Sequence, residues 1–262
     1  MAKLFRMDLY RMFKAKSFKV CLIISFLLSL GRTPMMKLLE MLAKSFAAGG
    51  QQVQQIVGPK TNLSGILATP LNTFTLVPLL ISVVLFFYAD MEGGYIKNIA
   101  GQMPKRGFSI LSRFLVSIVH NWIFLAACVI GNMIGTIPFQ QIVVDGAVTT
   151  ALLCFVLIWM LLQSLCSILL LAAASFRSKS LGMVLAVMFG IGGMTLLYLA
   201  IDQGLNALFK NFGGIAPYMP DNLLGNVSIE KPQTLRAILS AAITTAIFLP
   251  LSIRVFDKRD VK

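Results

Sequence analysis

Residues 147–174 read AVTTALLCFVLIWMLLQSLCSILLLAAA, 28 residues without a charge. As an α-helix at 1.5 Å per residue this stretch is about 42 Å long, more than the roughly 30 Å hydrocarbon core of a bilayer. It reads as a membrane span with room to tilt. Working outward, apolar runs at about 108–134 and 181–201 flank it, and others at about 18–36, 71–89 and 238–256 bring the expected number of spans to six. The first is the shortest: Lys19 and Arg32 are about 20 Å apart along a helix, so both charges must snorkel toward the headgroups. Pro78 lies inside the second and is expected to kink it.

Composition supports the same class. Apolar residues make up 57% of the 262 and charged residues 13%, against about 45–50% and 25% in soluble domains, and the mean hydropathy is +0.83. The net charge of +13 does not indicate nucleic acid, because Lys and Arg occur in short clusters between apolar runs. Sixteen of the 23 lie in the first nineteen residues, in 89–113, in 175–180 and after 253, while the acids divide five to five. The positive-inside rule then puts both termini in the cytoplasm. Residues 1–17 read as a cytoplasmic amphipathic helix at the interface, with Phe5, Leu9, Met12 and Phe13 on its apolar face.

Two loops on the other side are long. In 32–70, Met35, Leu38, Leu39, Leu42 and Phe46 recur at helical spacing before Gly49-Gly50. In 202–236, Leu205, Leu208, Phe209 and Phe212 do so before Gly213-Gly214, Pro217 and Pro220, which fits a partly reentrant hairpin between spans five and six or an anchored surface loop. On the cytoplasmic side, Gly93-Gly94 and Pro104 bound a short helix whose apolar face is Ile96, Ile99 and Met103. A ten-residue helix needs a surface to rest on, either the membrane or another protein.

Motifs for chemistry are missing. There is no P-loop, no H-E-x-x-H and no G-x-S-x-G, so the chain is expected to be no enzyme. Cys21, Cys128, Cys154 and Cys166 sit singly in apolar runs, and His120 is the lone histidine, so no metal or other cofactor is expected on this chain. No span has a central acid or base, which disfavours ion-coupled transport and calls for an outside energy source. Asn72, His120, Asn121 and Gln163 are the polar interior residues. For His120, Asn121 and Gln163 the alternatives are interhelical hydrogen bonding and lining of a pathway. Gly182, Ala186 and Gly190 form a small-xxx-small stripe, suited to packing within one bundle or to contact with a second copy.

The order of these features resembles the type-2 ABC exporter (ABC-2) permease family over nearly the whole chain. An N-terminal M-x-K-L-F-R-M-D-L-Y-R helix precedes span one, and the run Asp90-Met91-Glu92-Gly93-Gly94-Tyr95-Ile96-Lys97-Asn98 resembles the family's acidic-Gly-x-Ile-Lys-Asn stretch after span two. Arg106 to Arg113 resembles the basic entry to span three. The resemblance implies a single permease domain, 1–262, in a bacterial plasma membrane, paired with a second copy or a paralogue. Cytoplasmic ABC ATPase subunits would bind ATP and magnesium. The helix at 92–103 would couple to them, through Glu92, Ile96, Lys97, Ile99 and Met103, and the Gly182, Ala186, Gly190 stripe would meet the second permease. The branch most similar to this chain exports amphipathic or antimicrobial peptides or small drugs. Sodium or polysaccharide export is the alternative within the family, and a non-transporting assembly or sensory protein that docks a cytoplasmic partner is the alternative outside it.

Overall fold

A computed structural model of the chain describes residues 2–46, 60–92, 107–176, 178–208, 214–229 and 233–258. The elements are α1 (Ala2–Lys14), α2 (Lys16–Leu30), α3 (Arg32–Phe46), β1 (Lys60–Asn62), α4 (Leu63–Ala68), α5 (Thr73–Glu92), α6 (Gly107–Thr136), β2 (Gln141–Val143), α7 (Val148–Ser175), α8 (Lys179–Gly190), α9 (Met194–Leu208), a single 3₁₀ turn (Ala216–Tyr218), α10 (Pro220–Asn226) and α11 (Thr234–Asp257). This is a multi-span, mostly α-helical membrane protein. Three helices, α6, α7 and α11, are each long and apolar enough to cross a bilayer, two bent pairs pass the same test together, and α5 is a shorter apolar helix.

The charge-free stretch forms the centre. Within its most apolar window α7 is 67% buried, against 17% for α11, so α7 is the core helix and α11 turns Ile238, Leu239, Ile243, Ile247 and Leu251 outward. α11 packs along α7, α2 lies against α5 and α6, α8 packs on α5, and α4 and α10 cover one end of α7. An ideal Cβ on Gly107, at the start of α6, would sit 2.6 Å from Ile253 Cγ2 and 3.1 Å from Asp257 Oδ2, so the start of α6 and the end of α11 lie together. Since α1 also packs on α6 through Asp8 and Ser112, α1 and the end of α11 lie at one end of the bundle, the termini end.

The expected runs at 71–89, 108–134, 147–174 and 238–256 each coincide with one helix. α5 starts where it does because Asn72 and Thr75 cap it reciprocally: Thr75 N–H donates to Asn72 Oδ1 at 2.8 Å, and Asn72 N–H donates to Thr75 Oγ1 at 2.9 Å. The other two runs are corrected. The first breaks at Gly31 into α2 and α3, bent by 42°; Pro34 supplies no N–H for the Leu30 carbonyl and its ring collides with that group. The fifth breaks at 191–193 into α8 and α9 with a bend of 80°, where Gly192 takes φ +74°. α8 has 12 residues, about 18 Å, too short to cross by itself.

Two further expectations change. The chain is not purely helical: β1 and β2 pair in parallel, Lys60 with Gln141, Thr61 with Ile142 and Asn62 with Val143, clasping two loops at the end opposite the termini. Of the expected face of α1, Met12 is buried and Phe5 and Leu9 pack against the core, joined by the buried Leu4 and Asp8, while Phe13 is 43% exposed. The turn of the helix follows its one acid: Ser112 Oγ donates to Asp8 Oδ2 at 2.5 Å, with Arg11 3.9 Å from the same carboxylate. α3 is the helix expected from the 32–70 spacing, and the 209–213 part of the second expected hairpin lies outside the described residues.

The tightest crossing, α2 on α6, depends on Gly131 and Gly135. A Cβ on Gly131 would stand 2.9 Å from the Phe26 carbonyl oxygen, and one on Gly135 would overlap Leu30 O. Gly135→Leu is expected to lower the apparent Tm of the detergent-solubilised chain by several degrees, the effect of about 1–3 kcal/mol of overpacking. Gly204→Ala, inside α9 and with nothing within 4 Å of its added Cβ, is the control and is expected to hold the Tm or raise it slightly, since alanine favours a helix over glycine by about 1 kcal/mol. Equal melting of both variants would contradict the crossing.

Candidate functional site

Three of the four polar residues expected inside the bundle, His120, Asn121 and Gln163, meet in one network across α5, α6 and α7. Its hydrogen-bond directions follow from a backbone carbonyl. Phe114 O can only accept, so the Gln163 amide nitrogen donates to it at 3.1 Å and to Ser117 Oγ at 2.8 Å. Gln163 Oε1 is then an acceptor and receives Asn121 Nδ2 at 3.1 Å. Asn121 Oδ1 therefore accepts, so the His120 Nδ1 3.3 Å away carries the proton. His120 Nε2 lies 2.9 Å from Ser82 Oγ and is the acceptor there when the imidazole is neutral. The ring stacks on Phe124 at 4.4 Å and is met edge-on by Phe18 at 5.5 Å.

Such a network favours interhelical bonding over pathway lining. His120 is 1% exposed, Asn121 0% and Gln163 7%, and each spends its polar atoms on a neighbour. None of the three lines either of the two cavities at the end opposite the termini. Asn72 is a helix cap at one cavity's edge. Sequence spacing misses one interior charge: Arg113 is 0% exposed and its Nη1 donates to Phe87 O at 3.2 Å, tying α6 to α5 near the termini end. Its place in a basic cluster at a span entry disguises it.

The small-residue stripe faces α5 of the same chain. Gly182 lies where a Cβ would be 2.7 Å from Tyr88 Cε2 and 3.0 Å from Val84 Cγ1, and at Gly190 one would be 2.6 Å from Val77 Cγ2. Ala186 is 0% exposed between them. The face assigned to a second copy is thus occupied by α5, because close approach within the bundle uses the same small residues. The matching stripe on α6, Gly131-x-x-x-Gly135, was visible in the sequence and is the one that seats α2. Ile96, Lys97, Ile99 and Met103 lie outside the described residues; Glu92 ends α5, and its side chain is likewise outside the description.

Of the two cavities, the larger, about 420 Å³, sits between the start of α5, the α8–α9 break and α10, lined among others by Asn72, Leu76, Phe189, Thr195, Asp221 and Asn226. Burial pushes the Asp221 carboxyl up, against the Tyr198 hydroxyl and the backbone N–H groups of Asp221 and Asn222, so this wall of the cavity resists carrying negative charge. Asp202 is spent on structure: it accepts Ile215 N–H at 2.6 Å and Ala216 N–H at 3.2 Å, folding the chain back after α9. Among the described residues no three His, Cys, Asp or Glu side chains are grouped to hold a metal ion.

Compared with protein-family models, with curated proteins and with solved structures, the chain matches none.

If the network binds helices together, its parts are coupled. Asn121→Ala is expected to destabilise by about 1–3 kcal/mol, since Gln163 Oε1 loses its donor in a site without water. In a double-mutant cycle Asn121→Ala and Gln163→Ala should show an interaction of about 0.6–1.7 kcal/mol by reversible unfolding in mixed micelles. Strict additivity would mean that the two amides do not act together.

Proposed function

We propose that this chain is the membrane-spanning permease subunit of an ATP-driven exporter of the ABC-2 type. It has six spans, counting each bent pair and α5 as one, and both termini are in the cytoplasm of a bacterial cell. The observation that carries the reading is the run Asp90–Asn98, which resembles the family's stretch after its second span. It joins the end of α5 to the start of α6. Tyr88, near that end of α5, has its hydroxyl 3.4 Å from both Ala172 O and Phe176 O at the end of α7, and Gly107 opens α6 beside Asp257. The run therefore connects at the end of the bundle that holds the termini and the larger share of Lys and Arg, where a cytoplasmic partner would reach it.

Two more features support the reading. The interior network is neutral and saturated, so no group in it is placed to exchange a proton or sodium ion, and energy has to come from a separate ATPase that holds ATP and magnesium. The chain after α8 turns by 80° and is folded back through Asp202, in keeping with the reentrant hairpin of this family. The pathway then runs against a second permease, a copy or a paralogue, and the cargo is an amphipathic or antimicrobial peptide or a small drug. Coupling to the ATPase would run through the 92–103 stretch, by way of Glu92, Ile96, Lys97, Ile99 and Met103.

Affinity purification of the full chain from its native membrane, followed by mass spectrometry and an ATPase assay, tests this. A P-loop ATPase is expected with the wild type, and at least about tenfold less of it with Ile99→Asp, because an unpaired carboxylate in an apolar groove costs several kcal/mol. Membrane levels of the two should be equal. A wild type that brings down no ATPase would favour the non-transporting docking protein instead.

A further inference from the structure

The second cavity, about 300 Å³, lies where the α2–α3 bend, β1, α4 and the last turns of α6 meet. Arg32, Thr33, Thr61, Thr69, Asn132 and Thr136 give it a polar wall, and no carboxylate is among its lining residues. The acids nearby in the fold are engaged elsewhere: Asp145 accepts Ser64 Oγ at 2.5 Å, and Glu40 is 4.0 Å from Lys37. Arg32 Nη1 donates to Thr69 O at 2.8 Å, which leaves most of the guanidinium fork for a ligand. Thr136 Oγ1 already donates to Asn132 O at 2.7 Å, so Thr33 is the donor in the 2.9 Å contact between the two hydroxyls.

Asn132 supplies the second half of the argument. It is 4% exposed; its Nδ2 donates to Pro70 O at 3.4 Å, which fixes the orientation of the amide. Its Oδ1 is buried, and no donor of the described residues reaches it. A buried acceptor left alone costs about 1–3 kcal/mol, so this part of the cavity lining calls for a hydroxyl or an amine. Beside the cavity, α3 presents Met35, Met36, Leu38 and Leu39 outward, 45–60% exposed. Acyl chains fit that face.

We propose that this cavity binds the phosphate ester of a hydroxylated anion, the glycerophosphate headgroup of an anionic lipid. Arg32 donates to the phosphate oxygens, Asn132 Oδ1 accepts from a glycerol hydroxyl, and the acyl chains lie along α3. This site does not depend on the transport reading. It stands on a cation for which the described lining residues hold no counter-ion and on an acceptor that no described donor reaches.

The test is native mass spectrometry of the full chain with dioleoylphosphatidylglycerol, with dioleoylphosphatidylcholine and with soluble sn-glycerol 1-phosphate. The wild type is expected to retain the phosphatidylglycerol at least about tenfold better than the phosphatidylcholine, and Arg32→Met to lose about tenfold, as for one charge-assisted contact. Gly65→Leu is the second variant. Gly65 lines the cavity and an added Cβ there meets nothing within 4 Å, so the leucine enters open space, blocks the site and keeps the test decisive should Arg32→Met fail to fold. Arg236→Met, whose guanidinium lies over Tyr218 outside the cavity, is expected to bind as the wild type does. Binding of sn-glycerol 1-phosphate as tight as that of the lipid, with the same loss in both cavity variants, keeps the site and makes its source a soluble ester. Equal retention of the two lipids, or retention untouched by Arg32→Met and Gly65→Leu, overturns the proposal.

Discussion

A bilayer offers no water to a polar group in its interior, so every such group has to be answered by the protein itself. At the centre of this bundle that constraint is met by a run of amide, imidazole and hydroxyl groups from Ser82 through His120, Asn121 and Gln163 to Ser117, which links α5, α6 and α7. Because the directions from Gln163 through Asn121 to His120 Nδ1 follow from the Phe114 carbonyl, and Ser82 then meets the other ring nitrogen, few rotational settings of the three helices satisfy all of its members. Apolar packing alone discriminates weakly between rotations, since lipid tails are as apolar as leucine. The network supplies the specificity, and in doing so it closes the middle of the bundle.

Helices outside this trio are held by shape. α2 reaches α6 over Gly131 and Gly135, and α8 reaches α5 over Gly182 and Gly190. In both places the missing side chain lets backbone or ring atoms come within van der Waals range, where dispersion replaces the hydrophobic term that membranes lack. The polar exceptions at the ends serve docking: Asp8 with Ser112 seats α1, Asp202 folds the chain back after α9, and the β1–β2 pair joins two loops. The two cavities lined by described residues lie at the end away from the termini.

The membrane class and the position of most helices were legible because they depend on local quantities: apolar length against bilayer thickness, and the clustering of Lys and Arg. The breaks were harder. Pro34 and Gly192 were both in view, but an apolar run long enough to span hides a bend unless the residue four positions before a proline, or a glycine with positive φ, is considered. Phe5, Leu9 and Met12 were read correctly as the packed side of α1, but the burial of Asp8 was not, because the spacing of apolar side chains along a helix carries no trace of what one acid gains from one serine 104 positions away. The same limit applies to the stripe on α8, where spacing reports that a close approach exists and not which helix makes it. His120, Asn121 and Gln163 were found by type, and their mutual bonding needed three dimensions. The β1–β2 pairing of two three-residue strands left no periodicity to read.

The claim on which these points converge is that the centre of the bundle is sealed and the end opposite the termini is open. The four native cysteines are all buried, so single cysteines can be added and probed in open membrane fragments with a membrane-impermeant maleimide. Thr195→Cys, on the larger cavity, is expected to label readily, while Ser164→Cys, 0% exposed beside Gln163, is expected to stay unlabelled from both sides. Ready labelling of Ser164→Cys would show water at the level of the network and would contradict the account.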